Sequence, residues 1–160
     1  MDEAAANRQA PIFDPERLFQ IGIVVRSIEE TLAFFQKTFG FGPFELRDVA
    51  YTTATYFGEQ CGYRGKRAFF KLGPMEIELI ELLDGKTIHE EFLQTKGEGI
   101  HHIAFRVDSL EEAMRRAEQA GIRVTQSYRR PDGTGGFAYL ETDRVGGVVM
   151  ELIQRTPKKA

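Results

Sequence analysis

Residues 20–30 and 102–112 of the chain follow the same pattern. Each segment begins with a mostly apolar run that predicts a strand, and then reaches a serine with a glutamate three residues later. These pairs, Ser27 with Glu30 and Ser109 with Glu112, have the spacing of a helix capping box. Apolar residues continue at helical spacing behind each box until Gly40 and Gly121. The sequence therefore predicts two copies of one strand–helix unit.

Three further strands are predicted behind each helix, separated by glycine-rich stretches. The last strands of the two copies are predicted at 76–82 and 148–154, and their segments 77–81 and 150–154 are also alike. We therefore expect an α+β fold of two βαβββ modules whose mixed sheet curves around a shared cleft, with both helices on the outside. The other candidate strands are 52–57, 68–72, 123–127 and 137–141. The expected boundaries are an N-terminal arm at 1–16, a first module at 17–83, a linker with a short helix at 84–98, a second module at 99–154 and a tail at 155–160.

Composition excludes several classes of protein. Of 160 residues, 42% are hydrophobic and 28% are charged, which is typical of a globular chain rather than a disordered one. A net charge of −3 argues against nucleic-acid binding, and no apolar run is long enough to span a membrane. Cys61 is the only cysteine and the first residues lack an apolar signal region, so we expect a cytoplasmic protein.

Four polar residues occupy matched places in otherwise apolar strands. Gln20 pairs with His102 in the first strands, and Glu78 pairs with Glu151 in the last strands. If the modules pack about a pseudo-twofold axis, the four side chains converge, and two carboxylates with two neutral donors suit a divalent cation. Gly22 and Ala104 would leave room for substrate. Taken singly, each of the four is more often a solvated or hydrogen-bonded structural residue; the matched arrangement favours a site.

These residues resemble the vicinal oxygen chelate superfamily, over roughly 19–154. The stretches 96–105, 78–81, 133–136 and 146–152 are similar to the methylmalonyl-CoA epimerase branch, whereas a Gln/Glu/His/Glu set looks like glyoxalase I. The resemblance implies ligands from the first and last strand of each module, hence Gln20, Glu78, His102 and Glu151. The epimerase branch usually has histidine at the position of Gln20. Its second acid/base carboxylate has no counterpart near Arg67.

The resemblance implies a divalent-metal-dependent lyase or isomerase that removes a proton next to a carbonyl, with Glu151 as the base. The metal could be Zn, Mn, Co, Ni or Mg, and the substrate an acyl-CoA or a hemithioacetal. Arg106 is a candidate for binding an anionic substrate group, although such an arginine is more often a surface residue. A metal-free small-molecule binding protein of the antibiotic-resistance type is the alternative; a ring-cleaving dioxygenase fits less well because its iron needs two histidines. We expect a homodimer.

Overall fold

The two modules form one closed eight-stranded sheet. The structure is a computed structural model that describes residues 11–144 and 146–155. Strands follow each other around the sheet in the order β1-β4-β3-β2-β6-β7-β8-β5. A short 3-10 turn at Pro15–Arg17 precedes β1. The elements are β1 Leu18–Val24, α1 Ile28–Phe39, β2 Glu45–Tyr56, β3 Glu59–Leu72, β4 Met75–Gly85, α2 Ile88–Lys96, β5 Gly99–Arg106, α3 Leu110–Gln119, β6 Val124–Arg129, β7 Gly136–Leu140 and β8 Val149–Gln154.

The first strands of the two modules are neighbours in this sheet. β1 pairs with β5 in the antiparallel direction, and each pairs in parallel with the last strand of its own module, β4 or β8. Four contiguous strands, β4-β1-β5-β8, therefore carry all the matched positions. The predicted α+β fold with two βαβββ modules is confirmed. Each of the four site-bearing strands overlaps the strand predicted there, although the observed ends differ from the predicted ones by up to three residues.

The two capped helices lie on the outside of the sheet. Ser27 Oγ and Ser109 Oγ each accept a hydrogen bond from the backbone N–H three residues later, at 3.2 Å. The helix α1 ends at Gly40, whose φ of 70° lies in the left-handed region that glycine adopts without strain. The apolar face of α1 covers Ala68, Phe70, Ile77 and Leu79, while that of α3 covers Ala138, Leu140 and Leu152. Fully burying one such leucine stabilises the fold by roughly 1.5–3 kcal/mol.

The hairpin of β2 and β3 is longer than the sequence pattern indicated. Gly62 and Gly65 lie inside β3, where the pattern placed them between strands. The outer part of the hairpin is largely exposed, so it lacks the apolar alternation that marks a half-buried strand. Among the described residues, the strand pairing of β2 with β6 is limited to Thr55 and Tyr56. The helix expected in the linker is present as α2, and Gly97 follows its last residue.

Part of the predicted N-terminal arm packs against the second module. Ile12 and Phe13 contact the α3 core, and the rings of Phe13 and Phe105 lie 4.3 Å apart. Residues 1–10 of that arm and residues 156–160 of the predicted tail lie outside the described residues. No helix among the described residues combines the length and the apolar character needed to cross a membrane.

Candidate metal centre and substrate cleft

Three of the four predicted ligands lie within contact distance of one another. His102 Nε2 is 2.9 Å from Glu151 Oε2 and 3.5 Å from Glu78 Oε2. Candidate ligand atoms of the three residues all lie within 4.8 Å of each other. Gln20, which is 1% exposed, lines the same cleft as Glu78 and Glu151. The structure therefore brings together the residues that the repeat singled out, at the meeting of the two modules.

Three donor atoms of this cluster are buried without a hydrogen-bond partner. Within the described residues these are Gln20 Oε1, His102 Nε2 and Glu151 Oε2. The 2.9 Å approach of His102 to Glu151 is short enough for a hydrogen bond, but the ring nitrogen is not aligned for one. A misaligned contact contributes little as a hydrogen bond, although the charge of Glu151 still acts on the ring. Orphaned buried polar atoms are costly, and oxygen and imidazole donors suit a divalent cation, so the residues fit the metal that the fold family implies.

Glu76 fixes which end of the Gln20 amide faces the cluster. Gln20 Nε2 donates to Glu76 Oε1 at 2.7 Å, and the Arg155 guanidinium donates to the same oxygen at 2.6 Å. Since a carboxylate accepts only from the NH2 group, the amide oxygen of Gln20 is left as the free donor atom. Glu76 lies two residues before Glu78 on the same strand, so the period of two along β4 was the signal that could have identified it.

Gly22 makes room for the His102 ring rather than for substrate. The two residues are direct partners in the β1–β5 pair, and a Cβ atom at residue 22 would overlap the imidazole. The sequence-based expectation that the small side chain at residue 22 leaves space for a substrate is therefore wrong. A glycine is needed here because the histidine side chain lies across the neighbouring strand.

A second histidine orients the first. His101 Nδ1 and His102 Nδ1 lie 3.0 Å apart, and both rings are buried. Burial is the largest factor that lowers the pKa of His101 well below its usual range, so this ring is neutral. Once His102 has lost its Nε2 proton, a hydrogen bond donated by His102 Nδ1–H to His101 Nδ1 leaves Nε2 with a free lone pair. Metal-binding histidines commonly use their second nitrogen in this way.

The pKa values of Glu151 and His102 are both raised in the metal-free cluster. Burial raises the pKa of Glu151, although nearby His102 and Tyr139 oppose the shift. Burial works against protonation of His102, but Glu151 and Glu78 outweigh it and raise its pKa to about 9. In the metal-free pocket His102 therefore carries a proton at neutral pH that a cation would have to displace.

This proton competition predicts a pH-dependent effect of metal on stability. The folded pKa of His102, about 9, exceeds the value of about 6.5 in an unfolded chain. Its contribution to stability is fully present below pH 6.5 and is lost as the pH rises through about 9, and the raised pKa of Glu151 acts in the same direction. We expect the melting temperature of the metal-free protein to fall over this window. Apparent metal affinity should rise about tenfold per pH unit, because binding releases a proton.

Thermal unfolding of dialysed protein, with and without Zn²⁺, at several pH values between 6.5 and 9 measures both effects. His102→Gln is the matched control, since it keeps a polar side chain and removes the titrating group. A metal-induced stabilisation that is independent of pH in the unsubstituted protein would contradict the prediction.

The cluster lies in a central cleft of about 460 Å³. Tyr51, Tyr128, Phe137 and Tyr139 form an aromatic wall, with Tyr51 and Tyr128 ring centroids 4.6 Å apart. Burial raises the pKa of Tyr139 well above its usual range, so this phenol stays protonated next to Glu151, its partner across the β7–β8 pair. This wall was not among the features predicted from the sequence. The alternation of its aromatic residues along β7 was the only available signal.

Arg67 also lines the cleft, whereas Arg106 does not reach it. Arg67 is 5% exposed and its Nε lies 3.4 Å from Glu78 Oε1. Arg106 ends β5 and places its guanidinium 4.5 Å from the ring centroid of Phe19, in a separate outer groove next to Asp108. The substrate role considered for Arg106 is therefore not supported by its position. The cation in contact with the ligand cluster is Arg67, which the sequence indicated only as the place of a missing carboxylate.

The fold and the ligand cluster together define a class of protein. The chain belongs to the glyoxalase/bleomycin resistance protein/dioxygenase superfamily, whose family model matches residues 19–139. The uncharacterized protein YqjC of Bacillus subtilis (strain 168) is 30% identical over 139 residues, which is 86% of this chain and 91% of that protein.

Two solved structures extend the comparison. A hypothetical protein from Bacillus halodurans C-125 is 28% identical, covers 89% of this chain and 96% of its own, and superposes with a TM-score of 0.68. Methylmalonyl-CoA epimerase of Streptomyces coelicolor, in complex with 2-nitronate-propionyl-CoA, is 24% identical, covers 87% of this chain and 96% of its own, and has a TM-score of 0.64. At that identity the likeness to the epimerase shows a shared fold.

Proposed function

We propose that the chain is a divalent-metal-dependent lyase or isomerase that removes a proton next to a substrate carbonyl. The observation that carries this proposal is the set of unpartnered donor atoms of Gln20, His102 and Glu151, buried beside Glu78 at the base of an open cleft. These residues would hold Zn, Mn, Co, Ni or Mg. A bound divalent ion would act as a Lewis acid and stabilise the negative charge that develops on the carbonyl oxygen.

The chain's own residues supply the proton transfer. Glu151 is the base that we propose, because burial raises the pKa of its carboxyl and so makes it a stronger general base. Tyr139, paired with Glu151 across adjacent strands, remains protonated and fixes one side of the carboxylate. The aromatic wall lines the cleft on the β2, β6 and β7 strands and reduces the access of water to a carbanion.

An acyl-CoA and a hemithioacetal are the two substrate classes that we propose. Similarity of the fold to methylmalonyl-CoA epimerase supports an acyl-CoA. The Gln/Glu/His/Glu set resembles that of glyoxalase I and supports a hemithioacetal. Both reactions begin with loss of a proton next to a carbonyl, so one assay covers both.

The test combines metal analysis with proton exchange. Tag-free protein is analysed for bound metal, and substrate protons are followed by NMR in deuterated water with methylmalonyl-CoA and with the hemithioacetal of methylglyoxal and glutathione. We expect one metal per chain, exchange with one of the substrates, and loss of exchange after chelation that added metal restores. Tight ligand binding without metal or exchange would instead establish a metal-free binding protein.

We also propose a homodimer and a cytoplasmic location. Phe34, Phe39 and Leu46 expose 56–64% of their surface on α1 and the start of β2, which is unusual for large apolar side chains. Light scattering should give twice the chain mass of 18.2 kDa, and a strict monomer would contradict the dimer.

A further inference from the structure

Arg67 is a buried cation on the wall of the cleft that faces Glu151. It lies in β3, and three strands separate β3 from β8 in either direction around the closed sheet. The side chain of Arg67 keeps only 6% of its surface exposed, and residues on both sides of the cleft line the same cavity. A substrate seated next to Glu151 would therefore lie between that carboxylate and the guanidinium.

The guanidinium has few partners for a group so deeply buried. Within the described residues, its hydrogen bonding consists of one bond from Nη1 to the Lys66 carbonyl, at 3.0 Å. Glu78 Oε1 lies 3.4 Å from Nε, at ion-pair distance but outside hydrogen-bond alignment. By contrast, Arg64, three residues before Arg67 on the same strand, is exposed and hydrogen-bonds to Asp84. An arginine has five N–H donors, and burying them unused is costly.

The charges of the loaded site leave one positive charge unbalanced. Glu78 and Glu151 each contribute one negative charge, Arg67 one positive charge and a divalent ion two, while His102 is neutral when it binds metal. A buried site with this excess favours an anionic ligand. The planar guanidinium is also the side chain best suited to binding a carboxylate through two parallel hydrogen bonds.

We propose that Arg67 binds a carboxylate of the substrate opposite Glu151 and thereby selects substrates that carry such a group beside the reacting carbon. The proposal rests on the proposed function in so far as the cleft is a substrate cleft. Because a guanidinium remains protonated, Arg67 cannot remove a proton from the second face of the substrate. Arg67 is therefore a specificity-determining residue, and Glu151 is left as the base.

Calorimetric binding of malonate and of neutral malonamide to Zn²⁺-loaded protein tests the proposal without measuring catalysis. We expect Arg67→Met to weaken malonate binding by about 10- to 100-fold, since charge-assisted hydrogen bonds contribute about 1.5–3 kcal/mol. Malonamide binding should change less than about threefold. Arg67→Lys keeps the positive charge but not the paired N–H donors of the guanidinium. Its malonate affinity should lie between those of the unsubstituted protein and of Arg67→Met. Arg64→Met, on the outer face of the same strand, is the matched control and should bind malonate normally.

A second measurement applies even if the Met variant fails to fold. The Nε–H resonance of Arg67 in the unsubstituted protein, assigned by its loss in Arg67→Lys, should shift when malonate is added and remain in place with malonamide. Unchanged malonate affinity in a folded Arg67→Met variant, or an unmoved Arg67 resonance at saturating malonate, would overturn the proposal. Neither the malonate affinity nor the Arg67 resonance depends on proton exchange. The role of Arg67 is therefore tested separately from the proposed reaction.

Discussion

A Glu151→Gln variant should still bind one divalent ion but exchange substrate protons about 100- to 10,000-fold more slowly than the unsubstituted protein. Glutamine keeps an oxygen donor beside His102, whose Nε2 lies 2.9 Å from Glu151 Oε2, and it fills nearly the same volume. It cannot accept a proton in the relevant pH range. The exchange rate measured by NMR in deuterated water, at saturating metal, gives the loss.

Glu141→Gln is the control for this experiment. Glu141 follows β7 and is bonded to Arg123 and Arg144 away from the central cleft, so its loss should leave exchange unchanged. Wild-type exchange in a metal-loaded Glu151→Gln variant would place the base elsewhere, and the mechanism proposed for Glu151 would then be wrong.

Replacing Glu78 or His102 by alanine should weaken metal binding by about 100-fold or more, because each change removes a ligand rather than a group that orients one. The fold should persist, since the helices and the outer sheet faces pack through separate apolar clusters. Metal titration of protein dialysed free of metal, followed by circular dichroism, measures affinity and fold independently.

Glu81→Ala separates metal binding from stability. Glu81 lies on the same strand as Glu78 but points outward, where Glu81 Oε2 accepts a hydrogen bond from the Ile28 backbone N–H at 2.8 Å. Its loss should lower stability by about 1 kcal/mol, as removal of a helix cap does, and leave metal affinity intact. Equal metal affinity in Glu78→Ala and in the unsubstituted protein would remove Glu78 from the ligand set.

The internal repeat made much of this architecture predictable. Capping boxes at Ser27 and Ser109 are local features, and their agreement with the apolar periodicity specifies both helices. The matched positions of Gln20 and His102 follow from the pairing of the two first strands, which a repeat implies. Local sequence and global symmetry indicate the same fold here.

Residues that depend on the closed sheet could not be predicted in the same way. Arg67 in a strand with alternating polarity resembles a surface residue, and only closure of β3 onto β4 buries it beside Glu78. The long β2–β3 hairpin was missed because its outer part contacts little and carries no apolar period. The place of the Arg106 side chain does not follow from strand alternation, which shows neither where β5 ends nor that the side chain stacks on Phe19.

The close fit of the His102 ring over Gly22 ties two distant positions of the chain together. A side chain at residue 22 and an imidazole at residue 102 exclude each other, whichever metal is bound. In chains that share this strand pairing, a bulky residue at the first position would therefore signal that the second is no longer a ligand. Glycine at residue 22 thus indicates that the candidate metal centre is retained, and it does so independently of the ligand residues.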